Sequence, residues 1–264
     1  MTERPLALVT GASSGIGVEL ARELAADGHD LILTARREAR LRALAYELTG
    51  RHGMSAAVVP ADLANADGPA RLLREVEALG RPVEVLINNA GLGLGDAFAH
   101  QDPARLRMLL QVNVVAATEL ARACLPDMLA RRRGGILNVA SMAGLQPGPY
   151  MAAYYASKAY LLSLSEALWA ECRGTGVRVT ALCPGPVATE FFQAAGVAGS
   201  KFARTKPQVM PASEVARAGY AGFKSGRRMV APGLPNKLLA LVAPALPRNV
   251  VFAVLRRYQG PHAG

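Results

Sequence analysis

Residues 152–160, AAYYASKAY, set two adjacent tyrosines ahead of one of only five lysines among the chain's 30 cationic side chains. On a helix, side chains four residues apart lie one above the other, so Tyr154 and Lys158 would be neighbours. Tyr155, three residues from Lys158, is not excluded by spacing. An ammonium beside a phenol favours the phenolate and lowers a pKa that is about 10 in model compounds. A tyrosine tuned in that way can transfer a proton near neutral pH. An aromatic pair packed on a helix beside a snorkelling lysine satisfies the same spacing, so the chemistry needs support from elsewhere in the chain.

A second group of residues supplies it. VTGASSGIGVEL (9–20) follows an apolar run and opens a helical one. Gly11, Gly15 and Gly17 stand where a chain must turn tightly, bring its backbone against a phosphate and pack helix on strand. With Ser13, Ser14 and Ile16 they form a candidate dinucleotide cradle, spaced G-x-x-x-G-x-G rather than the commoner G-x-G-x-x-G. The next apolar run ends LILTARRE (31–38), with Ala35 where an NAD-gripping carboxylate would be expected, followed by Arg36 and Arg37. A guanidinium meets phosphate with a planar fork of donors, so the expected cofactor is NADP(H). Arg36 is the principal candidate for its 2′-phosphate, and Arg37 shares or flanks it. The plain alternative is solvated charge on the first turn of a helix at 37–49. Asp62 and Leu63, in PADL after the third apolar run, are expected beside the adenine.

The elements that must hold these groups show as an alternation. LALVT (6–10), DLILTA (30–35), AAVVP (56–60), VEVLIN (83–88), GILNVA (135–140) and VRVTALC (177–183) are short and rich in Val, Ile and Leu. They read as strands buried on both faces. Between them, VELARELAADG and ARLLREVEALG repeat apolar residues every three or four positions and end at glycine. The pattern predicts one α/β domain over residues 1–264, a doubly wound, mostly parallel Rossmann-type sheet with helices on both faces. Long helices are expected at 103–131 and from near Pro149 to 174. A substrate-loop region spans about 190–226 and includes a helix capped by Ser213. RRMVAPG (227–233) offers a last strand. A short helical C-terminal extension follows at about 234–258, two apolar helices broken at Pro244 and Pro247.

Composition narrows the classes of function. Hydrophobic content of 51% and charged content of 19% are those of an ordinary globular chain. No apolar run approaches the roughly 18 residues of a membrane span, and the N-terminus lacks a signal peptide's pattern, so a cytoplasmic protein is expected. The net charge is +10, but the basic residues are scattered, and the densest clusters are only ARREAR (35–40) and RRR (131–133). No nucleic-acid partner is expected; a phosphate-rich cofactor is the anion that fits. Cys124, Cys172 and Cys183 read as reduced core thiols, and His29, His52, His100 and His262 do not cluster, so no metal is expected.

TGASSGIG, NNAG (88–91), VNVVA (112–116), NVASMAG (138–144), YYASK (154–158) and CPGPVAT (183–189) occur in this order at fitting separations. Together they resemble the short-chain dehydrogenase/reductase family over about residues 5–233. The resemblance selects Tyr154, four before the lysine, as proton donor and leaves Tyr155 a packing or substrate-side residue. It implies that Ser141 positions and polarises a substrate carbonyl. Lys158 would tune Tyr154 and bind the nicotinamide ribose, and Asn113 would hold a water in the proton relay behind it. Asn89, Ala90 and Gly91 would border the cofactor, with Pro184, Gly185, Val187 and Thr189 along its nicotinamide half.

The activity implied is NADPH-dependent hydride transfer to a carbonyl, reversible to alcohol oxidation, on a small molecule. The alternatives are a dehydrogenase of hydroxy acids or similar alcohols and a non-catalytic NADP-binding regulator. A homodimer or homotetramer through helices 103–131 and 149–174 is implied as well. Phe191, Phe192, Leu145, Met151 and Tyr155 would give a hydrophobic substrate its contacts. Lys201, Arg204 and Lys206 read as solvated loop charges, with contact to an acidic substrate group as the alternative. The C-terminal helices are expected to cover the cleft or meet a second subunit. The alternative is docking on a membrane surface between Arg248, Arg256 and Arg257.

Overall fold

The computed structural model describes residues 3–197 and 209–259; Lys201, Arg204, Lys206 and His262 lie outside the described residues. Seven strands form one parallel sheet in the order β3-β2-β1-β4-β5-β6-β7. They are β1 (Leu6–Thr10), β2 (Asp30–Thr34), β3 (Ala56–Val58), β4 (Val83–Asn88), β5 (Gly134–Val139), β6 (Val177–Leu182) and β7 (Met229–Val230). All seven coincide with runs expected from the sequence, β5 beginning one residue earlier at Gly134. Every residue of β1 and β2 is buried, which is why these strands are continuously apolar instead of alternating.

Successive residues of one strand feed opposite cores. Ala7 and Val9 of β1, with Leu31 and Leu33 of β2, pack against α1 (Gly15–Ala26), α2 (Glu38–His52) and a later helix at Ala212–Lys224. Leu6, Leu8 and Ile32 face α3 (Gly68–Ala78) and the helix that follows β4. Removing one such wholly buried leucine to alanine costs about 2–5 kcal/mol.

The chain winds outward from β1 to β3, then crosses back to β4 on the other side of β1. The C-terminal ends of β1 and β4 therefore flank a crevice that no crossover covers, the position where ligands bind in open α/β sheets.

The expected helix 103–131 is continuous, but its geometry is not uniform. α4 (Pro103–Leu110) widens into a π-helical turn at Gln111–Ala116 before α5 (Ala117–Arg131). Such a turn inserts one residue into the helix, and it is found mostly at functional positions. It holds Asn113.

The next helix, α6 (Ala152–Glu171), starts later than expected, because Pro149 lies in a turn and Tyr150 takes a left-handed backbone at φ 63°. A short α7 (Phe191–Ala194) follows β6. In α8 (Ala212–Lys224), Ser213 does not cap as expected. Pro211 precedes the first turn, and Ser213 lies inside it.

The C-terminal extension is α9 (Leu234–Val242), a single 3₁₀ turn at Ala243–Ala245, and α10 (Arg248–Gln259). Val251 and Leu255 of α10 are buried against Ala143, Met151 and Tyr155, so the extension roofs the crevice on one side.

Candidate active site

The glycine turn is built for close approach. Gly11 and Gly15 have φ of 66° and 58°, a backbone region that strains residues with a Cβ. At Gly17 a Cβ would come within 2.4 Å of the Gly11 carbonyl oxygen and of the Asn89 side-chain nitrogen. Asn89 in turn donates to the carbonyls of Thr10 (2.9 Å) and Gly11 (3.2 Å), tying the end of β4 to the turn after β1. Thr10 completes this knot by accepting from the amides of Asn89 and Ala90, each at 3.0 Å. Ser14 precedes α1 in an extended conformation with no side-chain cap, and no acidic residue stands in the first turn. The amides at this helix end are thus left to an anionic ligand. The residues present fit a dinucleotide pyrophosphate.

Nearly all the residues selected from the sequence converge on one cleft of 1170 Å³. That exceeds the roughly 300–1,000 Å³ of a single-ligand pocket, leaving room for a cofactor and a substrate side by side. Gly11, Ser13, Ser14, Gly15, Ile16, Arg36, Arg37, Asp62 and Leu63 line one end of the cleft. Asn89, Ala90, Gly91, Pro184, Gly185, Val187 and Thr189 line its centre. Gly17 and Asn113 stand behind the wall and shape it from there.

The two arginines after β2 differ from each other. Arg37 donates to Ser14 Oγ at 2.8 Å and to Ser13 Oγ at 3.1 Å, wiring α2 to the glycine turn. Arg36 is exposed at the cleft edge with no side-chain partner among the described residues. The structure gives Arg37 the more determined position, whereas the sequence had favoured Arg36. Glu190 and Arg40 join the cluster. Neither was selected from the sequence, and the only available signal was a carboxylate directly after CPGPVAT.

Tyr154, Ser141 and Lys158 meet where the two halves of the cleft join. Ser141 follows β5, and its hydroxyl is set by an amide donated from Ala143 at 3.1 Å. Lys158 is buried, 4% exposed, and donates to the Val139 carbonyl at 2.8 Å. Burial holds its pKa down at about 8. Burial among the cleft walls likewise pushes the Tyr154 phenol up to about 12, with hydrogen bonding to Ser141 pulling part of the way back. This corrects the expectation that Lys158 lowers the phenol's pKa. The ammonium is turned to a backbone carbonyl, and loss of solvent is the larger effect. Tyr155 points elsewhere, packed against Val251, Leu255 and the turn at Gly148.

Asn113 is anchored rather than free. Its Nδ2 donates to the Leu92 carbonyl (2.9 Å) and to Ser157 (3.0 Å), and its Oδ1 accepts from the Leu92 amide at 2.8 Å. Oδ1 and Lys158 Nζ approach the same point, the position of a Cβ on Gly91, at 3.6 and 3.3 Å. Gly91 therefore keeps open the gap between them.

The other end of the cleft is mostly apolar. Met151, Tyr155, Phe191 and Phe192 line it as expected, but Leu145 packs away from the cleft beside Ala140 and Leu162. Leu239, Leu246, Val251, Val254 and Leu255 of the C-terminal extension complete it. The Phe191 ring lies 5.2 Å from that of Tyr154.

Residues 5–197 match the sequence profile of the short chain dehydrogenases. The ketoacyl reductase HetN of Nostoc sp. is 36% identical over 180 residues, 68% of this chain and 62% of that protein. This chain thus spans less than two thirds of HetN. A short-chain dehydrogenase from Sphingobium yanoikuyae, solved in complex with NADPH, is 33% identical, with a TM-score of 0.82 over 98% of this chain and 99% of that one. The bulky-bulky ketone specific alcohol dehydrogenase from Comamonas testosteroni is 31% identical, with a TM-score of 0.78 over 100% and 98% of the two chains. With a glycine cradle, a Ser–Tyr–Lys cluster and a parallel sheet that agree with these likenesses, the chain belongs to the short-chain dehydrogenase/reductase family of oxidoreductases acting on alcohol and carbonyl groups.

Proposed function

We propose that this chain is an NADPH-dependent reductase of bulky, mainly apolar ketones or aldehydes, reversible to oxidation of the matching alcohols. The observation that carries the reading is the position of Tyr154, with Ser141 and Lys158 beside it, at the junction of a phosphate cradle and an apolar chamber. When bound, the reduced nicotinamide supplies the hydride that goes to the carbonyl carbon. Ser141 orients the carbonyl oxygen and stabilises the charge that develops on it. Tyr154, held protonated by its raised pKa, donates the proton that turns that oxygen into a hydroxyl. Lys158 and the gap it shares with Asn113 return a proton to Tyr154 from solvent.

Selection of NADPH over NADH rests on Arg36 and Arg37 and on Ala35, which stands at the end of β2 in place of an NAD-gripping carboxylate. Bulk and apolarity are supported by the five aliphatic side chains that the C-terminal extension adds to the chamber. A homodimer or homotetramer is part of the same reading, since Leu110, Val115 and Tyr160 leave apolar surface exposed on the long helices.

The test follows NADPH absorbance with the purified protein against ketones, aldehydes, β-keto esters, steroids and acyl thioesters. Turnover greatest with bulky apolar carbonyls and lost in Tyr154→Phe is expected. Turnover that survives in that variant would remove the mechanism, and failure to oxidise NADPH with any of them would remove the reductase reading.

A further inference from the structure

Glu190 directly follows Thr189 and reaches across the cleft to the start of α2. Its Oε2 lies 2.6 Å from Arg37 Nη1 and its Oε1 lies 2.7 Å from Arg40 Nη1. Arg37 is at the same time bonded to Ser13 and Ser14 of the glycine turn. One carboxylate therefore bridges the segment after β6 to Arg37 at the cleft edge, where the adenosine phosphate of the proposed cofactor would lie, and to Arg40 farther along α2. The two guanidiniums hold the Glu190 carboxyl below the usual carboxylate range, so it is an anion at neutral pH.

Glu190 is thus an internal anion on a cluster that also suits a phosphate. The pairs are open to solvent, with side chains 41–50% exposed, so each is weak and exchangeable. A 2′-phosphate brings nearly two charges and three acceptor oxygens to the same guanidinium donors. We propose that Glu190 is a specificity-determining residue of the adenosine end, competing with the 2′-phosphate for Arg37 and Arg40. A nucleotide carrying that phosphate must displace the carboxylate, whereas one lacking it leaves the bridge in place. Glu190 thereby holds down the affinity for NADPH more than that for NADH. The inference rests on the NADP(H) reading above.

Binding of 2′,5′-ADP and of 5′-AMP, measured by titration calorimetry on the full chain, separates the two ideas without any turnover. Wild type is expected to bind 2′,5′-ADP more tightly than 5′-AMP. Glu190→Gln is expected to tighten 2′,5′-ADP by about 3- to 10-fold at low ionic strength, with 5′-AMP changed less than about twofold and the gain shrinking in salt. The gain should vanish when Glu190→Gln is made in an Arg37→Ala background. Equal gains for both nucleotides, or unchanged or weaker 2′,5′-ADP binding, would overturn the competition while leaving the NADP(H) reading intact. Wild type that binds the two nucleotides equally would remove the NADP(H) reading itself, and the competition with it.

Discussion

Lys158 Nζ stands 5.9 Å from the centre of the Tyr154 ring and gives a hydrogen bond to the carbonyl of Val139 at 2.8 Å. The lysine is a neighbour of the phenol's ring and a partner of the backbone. Its influence on proton transfer therefore runs through supply of protons more than through the phenol's own acidity.

A pH profile follows from the two shifts. Tyr154, with a pKa of about 12, stays protonated through neutral pH, so the donor for reduction is always loaded. Lys158, with a pKa of about 8, is charged below that value and neutral above it. Reduction should hold level through neutral pH and fall as the pH rises past about 8. Oxidation needs the phenolate to accept a proton, so it should climb with pH over the same range. Steady-state rates in both directions from pH 6 to 10 check this, and a reduction rate that climbs above pH 8 would contradict it.

Tyr154→Phe removes the donor and should lower kcat by about 10²-fold or more while leaving the melting temperature nearly unchanged. Tyr155→Phe keeps the ring that packs on Val251 and Leu255 and should stay within a few-fold of wild type. Loss of activity in the second variant alone would exchange the roles of the two tyrosines.

Gly17→Ala should fail at the cradle. The added methyl would sit 2.4 Å from the Gly11 carbonyl oxygen, and that backbone cannot retreat without opening the turn. A stability loss of about 1–3 kcal/mol in denaturant titration is expected, with nucleotide binding weakened at least tenfold. Wild-type nucleotide affinity in this variant would show that the turn is not the phosphate site.

Behind the cleft, Asn138 is wholly buried, accepts from Asn88 at 2.9 Å and donates to Ser165 at 2.8 Å. Asn138→Ala takes one buried hydrogen bond each from Asn88 of β4, which keeps the Ala117 carbonyl, and from Ser165 of α6, which keeps that of Leu161, and should cost about 1–3 kcal/mol. Because this ladder ties β4 and β5 to α6, the chemical denaturation midpoint should drop with little change in KM for the most active substrate. A large KM change without loss of stability would place Asn138 in the site.

Phe191 covers Tyr154 from the segment after β6. Phe191→Ala should raise KM several-fold for aryl and polycyclic ketones while leaving small aldehydes little affected. Equal loss with both classes would mean that the ring orders the catalytic tyrosine and does not grip substrate.

The strands, their order along the chain and the glycine turn were legible in the amino-acid sequence. They depend on local composition, period and backbone freedom, and β1, Gly11 and Gly15 are where those rules point. The family motifs carried Ser141, Tyr154 and Lys158 to one cleft, each sitting just beyond a strand or on the helix that follows it. What tertiary structure decided is what depends on distant neighbours. Glu190 meets Arg37 across 153 positions of sequence, and no local pattern reports that contact. The π turn at Asn113 interrupts what reads locally as one helix over 103–131. The direction of the Tyr154 shift came out opposite to the one the spacing suggested. Spacing describes one neighbour, whereas burial sums the loss of water from every side.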